Sequence, residues 1–172
     1  MEWRDEAQLF RAALKVCPLN AKVHYNIGKN AADQGLRDVA ISRYQTALQL
    51  NPEYDQAMNN LANLLKDSGQ IESAEEWLLK AVSIRPDFAA AWMNLGIVQA
   101  LLKKYSEARA SYLKALTHRR KYPDCYYNLG NLVKNQFKSI FHTPFIRNLI
   151  FSHSGKWFEI LWDYGFECTW NT

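Results

Sequence analysis

The sequence is poor in the residues that punctuate or cross-link a chain. Seven glycines and five prolines in 172 residues exclude collagen-like and linker-dominated architectures, which need far more of both. Three cysteines, Cys17, Cys125 and Cys168, are scattered and odd in number. No pair of them has metal-ligand spacing, so neither a disulfide framework nor a zinc site is expected. Charge of neither sign dominates: 21 basic residues against 17 acidic leave a formal +4, too mild to imply nucleic acid. Long apolar runs are missing as well. The longest candidate, 88–102, contains Asn94 and Gln99 and falls short of the roughly 18 residues that a membrane span requires. The opening Met1-Glu2-Trp3-Arg4-Asp5-Glu6 lacks the basic-then-apolar order of a secretory signal. Made as written, the chain is therefore expected to be cytoplasmic. A hydrophobic fraction of 48% with 22% charged residues belongs to a folded globular chain.

Catalytic signatures are also lacking. There is no glycine-rich phosphate loop, no His-x-x-x-His pair and no nucleophile elbow. No catalytic residue, metal or cofactor is assigned on these grounds.

What is present is internal repetition. With Ala21, Asp55, Ala89 and Pro123 in one column, the spacing is 34 residues each time. Column six then reads Asn26, Asn60, Asn94, Asn128, and column eight reads Gly28, Ala62, Gly96, Gly130. Column twenty is Ala40, Ala74, Ala108; column twenty-seven is Ala47, Ala81, Ala115; Pro52 and Pro86 share column thirty-two, where Arg120 breaks the pattern. These small, large and proline positions resemble the tetratricopeptide repeat. Small residues in columns eight and twenty let two helices approach closely, and Tyr44, Leu78 and Tyr112 are the large knobs between them. Gly35 and Gly69 suit a left-handed turn residue, with Lys103 in the same place in the third repeat. Proline after the second helix stops it.

The expected fold is all-α: a tetratricopeptide-repeat superhelix, a helix-turn-helix solenoid, with an irregular aromatic-rich C-terminal tail. Residues 1–20 are the second helix of a truncated repeat, with a helix at about 2–17. Residues 21–54, 55–88 and 89–122 are complete repeats, 123–133 begin a fourth, and 134–172 form a divergent tail expected to be poorly ordered. A start in mid-repeat without a capping unit suggests a piece of a longer array. Ten aromatic residues lie in 135–172, including Trp157, Trp162 and Trp170, yet they follow no sustained helical period.

The first helix of each repeat should line a concave groove. Columns two, five, six, nine, twelve and thirteen then project inward. The candidate peptide- or partner-binding residues are Lys22, Tyr25, Asn26 and Lys29, then Gln56, Asn59, Asn60 and Asn63, then Met93, Asn94 and Asn128. The groove grades from mixed charge through amide-rich to apolar. The asparagine column has two readings: amides that pair with the backbone of an extended peptide, or rungs that hold neighbouring helices together. A two-carboxylate clamp of the chaperone-adaptor kind needs Lys and Arg where this chain has Tyr25, Lys29, Gln56, Asn60, Ala90 and Asn94, so it is disfavoured. His118-Arg119-Arg120-Lys121 reads as a nuclear-import or acidic-partner patch or as cations complementing a helix C-terminus. His24, in the column of a large aromatic, is expected to be packed.

Two stretches are more particular: the run 85–97, beginning Arg85-Pro86-Asp87-Phe88, and the run 118–130, His118-Arg119-Arg120-Lys121-Tyr122-Pro123-Asp124 onward. Both resemble the C-terminal repeats of the transmembrane and tetratricopeptide-repeat protein O-mannosyltransferases, over about residues 2–132. That resemblance implies a family in which a multi-span membrane half in the endoplasmic reticulum transfers mannose from dolichyl phosphate mannose to acceptors such as cadherin domains. The repeats would hang in the lumen. This chain lacks the membrane half, so no catalytic residue carries over. The resemblance implies a protein-binding repeat module with cadherin-type acceptors among the partners; the groove itself suits a protein or peptide ligand, and the chain's own charge and hydropathy point to no nucleic acid and no transmembrane segment. The alternative is a cytosolic adaptor that binds extended peptides through its asparagine ladder, unconnected with glycosylation.

Overall fold

The computed structural model describes Ala12 and residues 14–141, with side chains through Lys134. Ala12 and residues 14–16 are helical, whereas Cys17, the last residue of the expected helix at 2–17, is not; residues 2–11 and 13 lie outside the described residues. Seven helices follow: α1 (Ala21–Asp33), α2 (Arg37–Leu50), α3 (Asp55–Asp67), α4 (Ile71–Ile84), α5 (Ala89–Leu101), α6 (Tyr105–His118) and α7 (Pro123–Phe141). No strand occurs among the described residues. The chain divides into one compact unit, Met1–Leu132, which contains the repeats, and a second, Val133–Thr172. In the second unit the residues through Phe141 are helical; the aromatic-rich remainder, 142–172, lies outside the described residues.

The two helices of a pair pack on one another, α1 on α2, α3 on α4 and α5 on α6, and successive pairs stack through α2 on α3 and α4 on α5. Alanine makes this possible. Ala40, Ala74 and Ala108, and likewise Ala47, Ala81 and Ala115, are completely buried, so the second helices of the pairs sit close to their neighbours at those points. The knobs Tyr44, Leu78 and Tyr112 are buried beside them, and a buried side chain of that size contributes about 1.5–3 kcal/mol. Column eight is matched to the knob it faces. A Cβ on Gly28 would lie 2.9 Å from the Tyr44 ring, and one on Gly96 would lie 2.6 Å from the Tyr112 ring. Where the knob is the smaller Leu78, the column holds the fully buried Ala62.

The turn within each pair is the same hydrogen-bonded reversal three times over. After α1 the Gly35 N–H donates to the Ala32 carbonyl and the Leu36 N–H to the Ala31 carbonyl, at 2.9 and 2.8 Å. After α3 the donors are Gly69 and Gln70, to Lys66 and Leu65. After α5 they are Lys103 and Lys104, to Ala100 and Gln99. This is the Schellman closure, which needs a left-handed residue. Gly35 and Gly69 supply it at φ of 75° and 83°, and Lys103 is forced to the same region at 62°. A side chain there costs about 1–2 kcal/mol, so Lys103→Gly should raise stability by about 1 kcal/mol in urea unfolding. An unchanged or lower midpoint would show that the turn is relaxed as it stands.

Candidate binding groove

First helices lie next to first helices. α3 packs directly on α5, and side chains bond between consecutive first helices across 35 residues of sequence. The Asn60 amide donates to the Tyr25 hydroxyl at 3.2 Å, and the Asn94 amide donates to Asn59 Oδ1 at 2.9 Å. Each bond runs from column six of one repeat to column five of the repeat before it. Asn59 in turn donates to Asn60 Oδ1 at 3.3 Å, and Asn60 also reaches the Tyr44 hydroxyl at 3.5 Å. The result is one polar chain, Asn94–Asn59–Asn60–Tyr25 and Tyr44, spanning three repeats. Its members are buried or half-buried, where an unpaired amide costs about 1–3 kcal/mol.

The asparagine column is thereby divided. Asn60 and Asn94 have donors committed to the scaffold. Asn26 and Asn128 are half-buried and make no side-chain hydrogen bond to a described residue. For Asn128 the reason is visible: the column-five residue one repeat earlier is Met93, whose thioether is a poor acceptor. Lys22, Lys29 and Gln56 are exposed and Asn63 is half-buried, and neither lysine forms an ion pair with a described residue. Met93 is half-buried and packs, with Ile97 and Ala100, against the cluster of Ala108, Tyr112, Cys125 and Leu132. The face therefore carries the free Asn26 amide and two free ammonium groups at one end, apolar surface, including the exposed Leu101, further along, and the free Asn128 amide beyond it.

Column four has a different task. The Trp92 indole N–H donates to the Pro86 carbonyl at 2.7 Å, and His24 Nε2 lies 2.9 Å from the Pro18 carbonyl. Both rings thus tie a first helix to the carbonyl six residues earlier. His24 is buried, its Nδ1 3.5 Å from an Arg43 guanidinium nitrogen, a packed histidine as its column suggests.

Sequence reasoning did not find the rest of the polar framework. Lys104 bridges to the buried Glu75 at 2.7 Å, and Ser111 donates to the buried Gln99 at 2.7 Å. Tyr25 stands between Tyr44 and Tyr54, with ring centroids 5.8 and 4.9 Å away. Burial pushes the phenols of Tyr44 and Tyr112 up to about 12, and burial also raises the Cys125 thiol, which donates to the Tyr112 carbonyl at 3.4 Å. The signal that could have revealed the asparagine bonds is the pairing of columns six and five at a separation of 35. Among the described residues no three His, Cys, Asp or Glu side chains are placed to hold a metal ion, and no helix is long and apolar enough to cross a membrane.

Residues 31–96 match a tetratricopeptide repeat model, and residues 100–136 match a second TPR repeat model. Among curated proteins, the protein O-mannosyl-transferase TMTC4 of Mus musculus is 73% identical over 44 residues, which is 26% of this chain and 6% of that protein. The protein O-mannosyl-transferase TMTC1 of Mus musculus is 44% identical over 68 residues, 40% of this chain and 7% of that protein. The match thus spans only a small part of the length of these relatives. Among solved structures, the first TPR of Spaghetti (RPAP3), bound to the HSP90 peptide SRMEEVD, superposes with a TM-score of 0.66 at 21% identity, over 68% of this chain and 93% of that one.

Proposed function

Because this chain belongs to the tetratricopeptide-repeat family, we propose that it is a protein-binding module whose first-helix face takes an extended peptide segment, and that it serves as part of the repeat region of a protein O-mannosyl-transferase. On this reading the repeats engage protein acceptors of the cadherin type in the lumen of the endoplasmic reticulum. Mannose transfer from dolichyl phosphate mannose belongs to a membrane-embedded catalytic half, and no residue of this chain takes part in it. The likeness to the transferase repeats supports the second half of the proposal. The observation that carries the first half is the split asparagine column: Asn26 and Asn128 keep free amides on the groove face, and Lys22 and Lys29 keep free charges there. A cytosolic adaptor that reads peptide backbone through the whole ladder is the competing reading. It is less favoured because Asn60 and Asn94 are already bonded to other repeats.

Titration of the isotope-labelled chain with synthetic strand peptides from a cadherin domain should move the Asn26 and Asn128 side-chain amide resonances. The Asn26→Ala/Asn128→Ala double variant should bind about tenfold more weakly, the worth of one to two hydrogen bonds. Resonance shifts confined to the second helices of the pairs would overturn the groove assignment. Equal binding of unrelated extended peptides would favour the adaptor instead.

A further inference from the structure

The repeat provides its own internal control for a second surface. The turns that follow α2, α4 and α6 occupy the same columns and open with the same backbone conformation. Their first residues, Asn51, Arg85 and Arg119, sit at φ/ψ of −137°/94°, −126°/89° and −140°/89°. The Tyr54 N–H then bonds the Asn51 carbonyl and the Phe88 N–H the Arg85 carbonyl, whereas 119–122 bends without that bond. The side chains differ in charge. Asn51-Pro52-Glu53 carries one negative charge, Arg85-Pro86-Asp87 is balanced, and Arg119-Arg120-Lys121 carries three positive charges and no acid. The shared opening conformation does not require the change, since Asn51 and Arg85 adopt it in turns of different charge.

Arg85 and Arg119 make the comparison sharper. The Arg85 guanidinium lies 3.7 Å over the Phe88 ring, and its Nε bonds Asp55 Oδ2 at 2.7 Å. The Arg119 guanidinium is held in the same manner, 4.5 Å over the Tyr122 ring. The residue in the Asp55 column is now Ala89, so the carboxylate has gone while the aromatic seat remains. Stacking leaves the N–H edge of a guanidinium open for a bidentate carboxylate. His118, Arg119, Arg120 and Lys121 are all exposed, and none forms an ion pair with a described residue. Lys114, one turn earlier on α6, is drawn over the Trp92 ring at 4.5 Å. The nearest acid in the sequence is Asp124, in the first turn of α7. A helix C-terminus welcomes one cation, but the equivalent ends of α2 and α4 are closed without a net positive turn.

We propose that the turn 118–121 is a docking surface for an acidic protein segment, apart from the groove and independent of what the groove binds. Arg119 is the seated anchor, with Arg120 and Lys121 beside it. The turn itself carries no large apolar side chain to enter a bilayer, which favours a carboxylate-rich peptide over a membrane.

The test is fluorescence anisotropy of the full chain with a fluorescein-labelled octaglutamate peptide. Binding should fall at least about tenfold in Arg119→Glu/Arg120→Glu, fall in smaller measure in Arg120→Gln, and weaken with added salt. The fall should be clearly smaller in Lys22→Glu/Lys29→Glu, which changes the net charge equally, with circular dichroism showing all variants folded. Loss in the lysine variant with retention in the arginine variants would place acidic ligands in the groove and overturn the proposal. Tighter binding to phosphatidylserine vesicles or to a DNA duplex than to the peptide would overturn it as well.

Discussion

Gly96→Ala should destabilise the chain by about 2 kcal/mol, even though alanine is the better helix former by about 1 kcal/mol. The added Cβ would stand 2.6 Å from two carbons of the Tyr112 ring and 3.0 Å from a third. That ring is 2% exposed and has no route out, and overpacking of a closed core costs about 1–3 kcal/mol or more. The order across the column is then fixed by distance. Gly28→Ala, with its contact to Tyr44 at 2.9 Å, should cost less than Gly96→Ala. Gly130→Ala should stabilise slightly, because a Cβ there meets nothing within 4 Å. The sharper result is a rescue. Gly96→Ala/Tyr112→Leu recreates the Ala62 and Leu78 pair of the middle repeat, so the double variant should recover much of what the single variant loses. Urea unfolding followed at 222 nm measures all four. If Gly96→Ala unfolds at the wild-type midpoint, the pairing of small residue and knob is not what sets the helix spacing.

That pairing was half legible. Columns eight and twenty show from sequence alone that small residues recur where helices cross, and the knobs are equally visible. What sequence does not show is that glycine goes with tyrosine and alanine with leucine, because the match is made in space between residues 16 apart on two helices. The asparagine column illustrates a harder limit. One residue type at four equivalent positions invites one role, yet Asn60 and Asn94 bond their neighbours while Asn26 and Asn128 do not. The deciding residue sits in column five of the preceding repeat: Tyr25 and Asn59 accept, Met93 does not. Lys103 is legible in the opposite sense. Its departure from glycine is plain in the sequence, but only the structure shows that the turn keeps its left-handed residue. The basic turn at 118–121 was visible as a charge run; its meaning came from the missing partner of Arg119, set against Arg85 and Asp55.

Alkaline pH should unfold this chain more sharply than ordinary surface titration would. Desolvation on burial raises the Tyr44 phenol to about 12 against a smaller lowering by the Asn60 amide, and burial does the same for Tyr112. Burial also raises Tyr54, Tyr122 and Cys125. A raised folded-state value means that the native state holds its proton when the unfolded chain, near 10, has released it. The stability is therefore fully present below pH 10 and is lost as pH climbs through 12, at up to about 1.4 kcal/mol per pH unit for each such group. Phenolate absorbance should lag behind that of free tyrosine and then rise together with the loss of helical signal, because ionisation and unfolding are linked. Tyr44→Phe/Tyr112→Phe removes the two most buried phenols among the described residues and should shift the alkaline midpoint upward. It gives up only the long Asn60 contact in exchange, since Asn60 keeps its shorter bond to Tyr25. A phenolate titration complete near pH 10 with the helical signal intact would refute the burial of both rings, and with it the knob-and-glycine packing on which the solenoid rests.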